Sequence, residues 1–298
     1  MTKTIIKTVD YCINYGIKFL KKSNNIDHDN IVSDSIILVA YILKKDIKEL
    51  FLILDYPISD SQFNELNKLL FLRRSGQPVY KIIGEKPFFK HHFITNNDVL
   101  DPRSDTEILV ESIIAEYKNY KQNINFLELG VGSGCVILSV MSILINSVGY
   151  AIDISDKAIK TSKNNALKLQ LDNKVHFICK DWNNLTKSDF TDRYAFDCII
   201  SNPPYIKTLD IYKLSNEVKN FDPKIALDGG EDGLKCYREI ANIIKKKNIP
   251  LKENAKIFLE IGKNQENEVR NIFNLHGFKT IRSQNDLNNI ERVLVFSV

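Results

Sequence analysis

Phe126-Leu127-Glu128-Leu129-Gly130-Val131-Gly132-Ser133-Gly134 is the stretch that decides the fold. An apolar run suited to a buried strand ends in three alternating glycines, and a helix-length segment, 134 to 146, comes next. Residues without side chains let backbone N–H groups approach a ligand at the carboxyl end of a strand. The spacing is not the GxGxxG of dinucleotide folds, because Val136 and Ile137 occupy the positions after Gly134. A GxGxG loop suits a nucleoside cofactor without a pyrophosphate. The bland alternative is a turn that only closes a strand–helix connection. Asp153 argues against it, since it ends the next apolar run, where a carboxylate can accept hydrogen bonds from both ribose hydroxyls. Glu128 adds a second well-placed carboxylate. The loop by itself leaves a nicotinamide enzyme in contention.

Outward from this stretch, seven runs read as strands: 125–129, 148–152, 175–179, 196–201, 256–261, 278–282 and 292–296. Segments 134–146 and 156–170 are helix-length. Strands alternating with helices imply a parallel α/β sheet, so a Rossmann-like, seven-stranded, mostly parallel sheet is expected. Residues 1–75 differ. Ile5, Val9, Cys12, Ile13, Ile17 and Leu20 recur at helical spacing, as do Ile36, Ile37, Val39, Ala40 and Leu43. Asp60 or Ser61 is expected to cap a third helix carrying Phe63, Leu66, Leu69 and Leu70. Lys44, Lys45 and Lys48 read as a solvated helix face. Gly76, Pro78, Gly84 and Pro87 punctuate the segment after residue 75. The expected organisation is a small helical domain over 1–75, a linker with a β-hairpin over 76–100, and a catalytic domain over 101–298.

The chemistry is expected at the end of the fourth strand, in Asn202-Pro203-Pro204-Tyr205. Two prolines cannot continue a central strand. A rigid turn alone, however, needs neither asparagine first nor an aromatic last. An amide or exocyclic amino nitrogen is a poor nucleophile because its lone pair is delocalised. Its two N–H donors can be held by the Asn202 side-chain oxygen and the Pro203 carbonyl, which aims the nitrogen at a sulfonium methyl. Tyr205 can stack on the planar group. Such catalysis rests on positioning and electrostatics. Asn202, Pro203 and Tyr205 are thus the expected catalytic residues, and Asn202, Pro203, Pro204 and Tyr205 the expected substrate contacts. The cofactor contacts expected are Glu128, Gly130, Val131, Gly132, Ser133, Gly134, Asp153, Asp181, Trp182 and Asn202. For Trp182, the only tryptophan, packing on the adenine ring and anchoring the core both stand open.

The bulk properties exclude little. With 44% hydrophobic residues the chain can bury a sizeable core, and a net charge of +4 is too small to make nucleic acid an expected partner. The five cysteines show no CxxC pair, and no histidine stands at zinc-ligand spacing, so neither a metal nor a disulfide framework is expected. Cys135, Cys179 and Cys198 lie in apolar runs and read as small buried hydrophobes. Lys3, Lys7, Asp10 and Lys18 interrupt any apolar leader core, and a cytoplasmic monomer away from membranes is expected. His91 and His92 read as hairpin surface positions.

These motifs together resemble the protein-(glutamine-N5) methyltransferase family, which modifies the GGQ motif of class-1 peptide-chain release factors. The likeness covers nearly the whole chain. It is carried by Arg73-Arg74-Ser75-Gly76-Gln77-Pro78, Gly84-Glu85-Lys86-Pro87-Phe88-Phe89, Asp101-Pro102-Arg103-Ser104-Asp105-Thr106-Glu107 and Asn289-Ile290-Glu291-Arg292-Val293, besides the glycine loop and the Asn-Pro-Pro-Tyr set. Ser104 departs from the family's usual proline, and Glu128 from its usual aspartate. The resemblance implies S-adenosylmethionine as cofactor and a release-factor glutamine as acceptor. It also implies a docking role for the helical domain, and Arg103 and Glu107 helping to close the cofactor pocket. The alternative acceptor is the N6 amino group of adenine in DNA or RNA.

Overall fold

The structure is a computed structural model that describes residues 6–190 and 195–298. Lys3 and Ile5 lie outside the described residues. The chain divides into two units, one running to Glu85 and including Leu214–Phe221, the other comprising Lys86–Lys213 and Asp222–Val298.

In the first unit, periodic apolar positions form helices over Val9–Leu20, Ile31–Leu43 and Asp60–Arg74. Val9, Cys12, Leu20, Leu38, Leu66 and Leu70 are buried together between them. The cap of the last helix is Ser59, not Asp60 or Ser61. Its side chain accepts from the Gln62 N–H and Gln62 reaches back, so two otherwise orphaned donors are satisfied. A further short helix, Val79–Ile83, occupies part of the segment expected as linker, and another, Asn216–Phe221, returns to this unit from far along the chain. Arg73 explains that return. Its guanidinium is buried, donating to Asp34 Oδ2 at 2.6 Å, to Glu217 Oε1 at 2.5 Å and to the Gln77 carbonyl at 3.2 Å.

A hairpin of β1 (Glu85–Phe88) and β2 (His91–Ile94) precedes the main sheet. His92 is exposed, and His91 bonds the Ser142 hydroxyl at 2.8 Å. The main sheet contains β3 (Ile124–Leu129), β4 (Ser147–Asp153), β5 (Val175–Cys179), β6 (Phe196–Ser201), β7 (Leu251–Glu260), β8 (Lys279–Asn285) and β9 (Glu291–Ser297), in the order β5-β4-β3-β6-β7-β9-β8. The first five are parallel, β9 runs antiparallel to β7, and β8, antiparallel to β9, points the same way as the first five. Helices cover both faces, so the central strands are apolar on both sides, and two apolar layers result. β7 begins several residues before the expected 256, at Leu251, with the polar Lys252-Glu253-Asn254 near its head. Cys179 ends the edge strand β5 and is exposed, which corrects its reading as a buried hydrophobe. No helix among the described residues is long and apolar enough to cross a membrane.

The chain leaves β3 for β4 on one side, while β6 lies on its other side. That reversal opens a crevice beyond the carboxyl ends of these strands, where ligands of open α/β sheets bind.

Candidate active site

The crevice is a cleft of about 270 Å³ at the ends of β3, β4 and β6. Its floor is the glycine loop. Gly130, Gly132 and Gly134 have φ of 78°, 54° and 81°, a left-handed region that disfavours side chains, so the alternation of glycines is a backbone requirement. A Cβ on Gly132 would meet nothing within 4 Å, so the loop faces open space there. Gly130, Val131, Gly132 and Ser133 line the cleft, whereas Gly134 does not. A Cβ on Gly134 would come 3.0 Å from Leu138 and 3.2 Å from Ser162, so that glycine serves close packing instead.

Asp153, at the end of β4, accepts the Gly132 N–H at 2.9 Å and the Ser155 N–H at 2.9 Å, one on each oxygen. Burial raises its pKa, opposed by these backbone donors. Each oxygen keeps a lone pair for a hydroxyl donor. Glu128 is buried, accepts the Ile137 N–H at 3.2 Å, and has its pKa pushed well up by burial. Asp181 also lines the cleft, capping the turn at Trp182–Asn184. Trp182 does two things at once. It packs on the apolar layer of Leu127 and Ile152 and anchors its indole N–H on Glu239 at 2.9 Å, while also lining the cleft.

Asn202 and Pro204 line the cleft, but Pro203 and Tyr205 do not. Tyr205 packs against the core, its carbonyl accepts from Gln265 Nε2 at 3.0 Å, and burial pushes its hydroxyl up to about 12. The Asn202 Nδ2 donates to Thr106 Oγ1 at 3.1 Å. Thr106 belongs to the Asp101–Glu107 stretch, which is pinned at several points. Arg103 donates to Asp222 at 2.7 Å, and Asp105 accepts from Arg292 at 3.1 Å, which in turn holds Asp286 at 2.9 Å. Arg103 lines the cleft. Glu107 does not; its carboxylate accepts the Phe89 N–H at 2.9 Å and holds the hairpin turn, where φ is 53°.

Sequence reasoning missed Glu260. It ends β7, is 2% exposed, and is pushed up to about 7, chiefly by burial, while Thr106, Arg292 and Asn202 draw it down. The signal was present. β6 and β7 pair in parallel with Ser201 opposite Leu259, so the next residues, Asn202 and Glu260, stand side by side at the strand ends.

Fold and cleft together define a methyltransferase: a methyltransferase-domain model matches residues 120–291, and the PrmC N-terminal domain model matches residues 12–84. The chain is 36% identical to the release factor glutamine methyltransferase of Clostridium acetobutylicum, covering 93% of each. It belongs to the release factor glutamine methyltransferase family. It is also 35% identical to the bifunctional methyltransferase of Rickettsia felis over 96% of its own length, and spans 58% of that longer protein. Among solved structures, the hMettl16 catalytic domain in complex with the MAT2A 3'UTR hairpin 6 shares the fold, with a TM-score of 0.54 at 13% identity, over 80% of this chain and 82% of that one.

Proposed function

We propose that this chain transfers a methyl group from S-adenosylmethionine to the side-chain amide nitrogen of the GGQ glutamine in class-1 peptide-chain release factors. The observation that carries the reading is Asn202 at the cleft, its Nδ2 turned onto Thr106, beside a glycine loop braced by Asp153. The donor set fits the cofactor: an acceptor-only carboxylate for hydroxyls, a loop facing open space, and a half-buried tryptophan ring. When bound, S-adenosylmethionine supplies an electrophilic methyl on a sulfonium. Asp153 and the Gly130–Ser133 backbone hold the nucleoside, with Asp181 and Trp182 at its base. Asn202 Oδ1 and the Pro203 carbonyl accept the two amide hydrogens of the glutamine. That orients the nitrogen lone pair and enriches it as the protons are drawn toward the acceptors. Tyr205, held by burial as a neutral phenol, backs this strand end. The helical unit docks the release factor, in a cytoplasmic setting. Mass spectrometry of purified release factor after incubation with the chain and S-adenosylmethionine is the test. A gain of one methyl on the GGQ glutamine is expected, and an unmodified peptide overturns the reading.

A further inference from the structure

A primary amide has two nearly isosteric ways of sitting in a pocket, with oxygen and nitrogen exchanged. For Asn202 the choice decides function, because only one orientation turns an acceptor toward an incoming amide. Thr106 does not make that choice, since a hydroxyl both donates and accepts. An ionised carboxylate does, because it only accepts. Glu260 is that group. It is 2% exposed, stands beside Asn202 through the β6–β7 register, and has its pKa drawn down by the neighbouring Thr106 and Asn202 side chains. Its Oε2 has no hydrogen-bond partner among the described residues. An unpaired oxygen on a buried carboxylate costs stability, and so calls for a reason other than packing.

We propose that Glu260 is a positioning residue that fixes the orientation of the Asn202 amide, holding Nδ2 inward on Thr106 and on its own carboxylate so that Oδ1 is presented to the cleft. The inference rests on the methyl-transfer reading above for its purpose, but its geometry concerns this chain's own residues. It makes the orientation of Asn202 depend on charge. When Glu260 takes up a proton its hydroxyl can donate, the preference is lost, and Asn202 can turn over.

The groups around Glu260 are few. Arg292 on β9, Thr106 and Asn202 draw its pKa down, and Asp105 pushes it up. Tyr205, Tyr237 and Cys135 feel its charge, and burial holds all three above their ordinary values and neutral near pH 7. The Tyr237 hydroxyl donates to the Glu260 carbonyl at 3.1 Å. Within this set Glu260 is therefore the group that changes charge close to neutrality.

The test uses the full chain labelled with ¹⁵N-asparagine, the Asn202 side-chain resonances being identified by their loss in Asn202→Ala. Their shifts are expected to titrate with a midpoint of about 7, and to stop doing so in Glu260→Gln. Shifts that stay flat from about pH 5 to about pH 9, or that titrate identically in Glu260→Gln, overturn the proposal. Methyl transfer gives a second readout. In Glu260→Gln, kcat is expected to fall on the order of 10- to 100-fold with the KM for S-adenosylmethionine unchanged, as for a misaligned reacting group. Glu260→Asp should recover part of it, and the rise of kcat with pH through neutrality should vanish in Glu260→Gln. A variant that loses only thermal stability, with kcat and its pH profile intact, makes Glu260 structural and defeats the inference. If the wild-type chain leaves release factor unmethylated, the acceptor assignment fails while the resonance titration still decides the role of Glu260.

Discussion

Of the places where the described residues bury charge, two do it in opposite ways. In the helical unit Arg73 sits between Asp34 and Glu217 and also donates to the Gln77 carbonyl, so each carboxylate meets a cation directly. At the strand ends of the second unit, Glu128, Asp153 and Glu260 all have raised pKa values, with burial the leading cause in each. Asp34 is raised by burial too, but there Arg73 opposes it directly. A closed cluster of this kind fixes chain segments, in this case the distant Asn216–Phe221 helix. Under-compensated carboxylates at the open end of a sheet keep acceptor capacity for something that is not part of the chain. The difference separates architecture from chemistry.

The largest effect that sharpens this contrast is expected from Arg73→Met. Removing one partner of a buried ion cluster typically costs about 3–5 kcal/mol. Urea denaturation should show that loss, and a change below about 1 kcal/mol would mean that the cluster is no better than a surface pair. Next comes Asn202→Ala, for which transfer should drop by about 10²–10³-fold, the usual cost of a lost group that acts on developing charge. Calorimetric binding of S-adenosylmethionine should be largely kept, and retained transfer would remove Asn202 from the mechanism. Asp153→Ala should act the other way round. It weakens cofactor binding by about 1–3 kcal/mol, since the Gly132 and Ser155 donors lose their acceptor and the hydroxyls theirs.

The smallest effect concerns pH. The pKa of Glu260 is raised from 4.5 to about 7, so the folded state binds its proton more tightly than the unfolded chain does. Stability from this group therefore falls as pH rises through that window, and the burial cost is fully present above it. Relative to wild type, Glu260→Gln should melt progressively higher from pH 4.5 to about 7 and then level off. A gain on the order of 1 kcal/mol would appear as about 2–4 °C. A difference independent of pH would show Glu260 to be as well compensated as Asp34.

Much of this was legible in the sequence. The apolar central strands announce themselves because both faces are covered, and the glycine loop and Asn202 sit at strand ends that periodicity alone locates. The first half of β7 was not legible, since Leu251-Lys252-Glu253-Asn254 carries no apolar signature and is held by its neighbour β6. The helices Lys235–Lys245 and Glu266–Leu275 are amphipathic, with Tyr237, Ile240, Ile244, Val269 and Phe273 buried, but neither was assigned because no motif drew attention to them. Tyr205 illustrates a different limit. Residue type suggested stacking on a ligand, whereas packing against the core and Gln265 decides where the residue sits. The Arg73 cluster joins positions too far apart in the chain for spacing to reveal.

The pairing of β6 with β7 has an implication for insertions and deletions. The register shifts once, between Phe196 and Cys198, and runs unbroken from there to Ser201 and Leu259. Below that irregularity, at Leu251–Asn254, a gained or lost residue can be absorbed as another bulge. Above it, between Ile257 and Leu259, a single-residue deletion would turn every later side chain to the opposite face of the sheet. Glu260 would then point away from Asn202. The ladder from Cys198 onward acts as a ruler, and natural length variation in β7 should be confined to the end where the ruler has not yet begun.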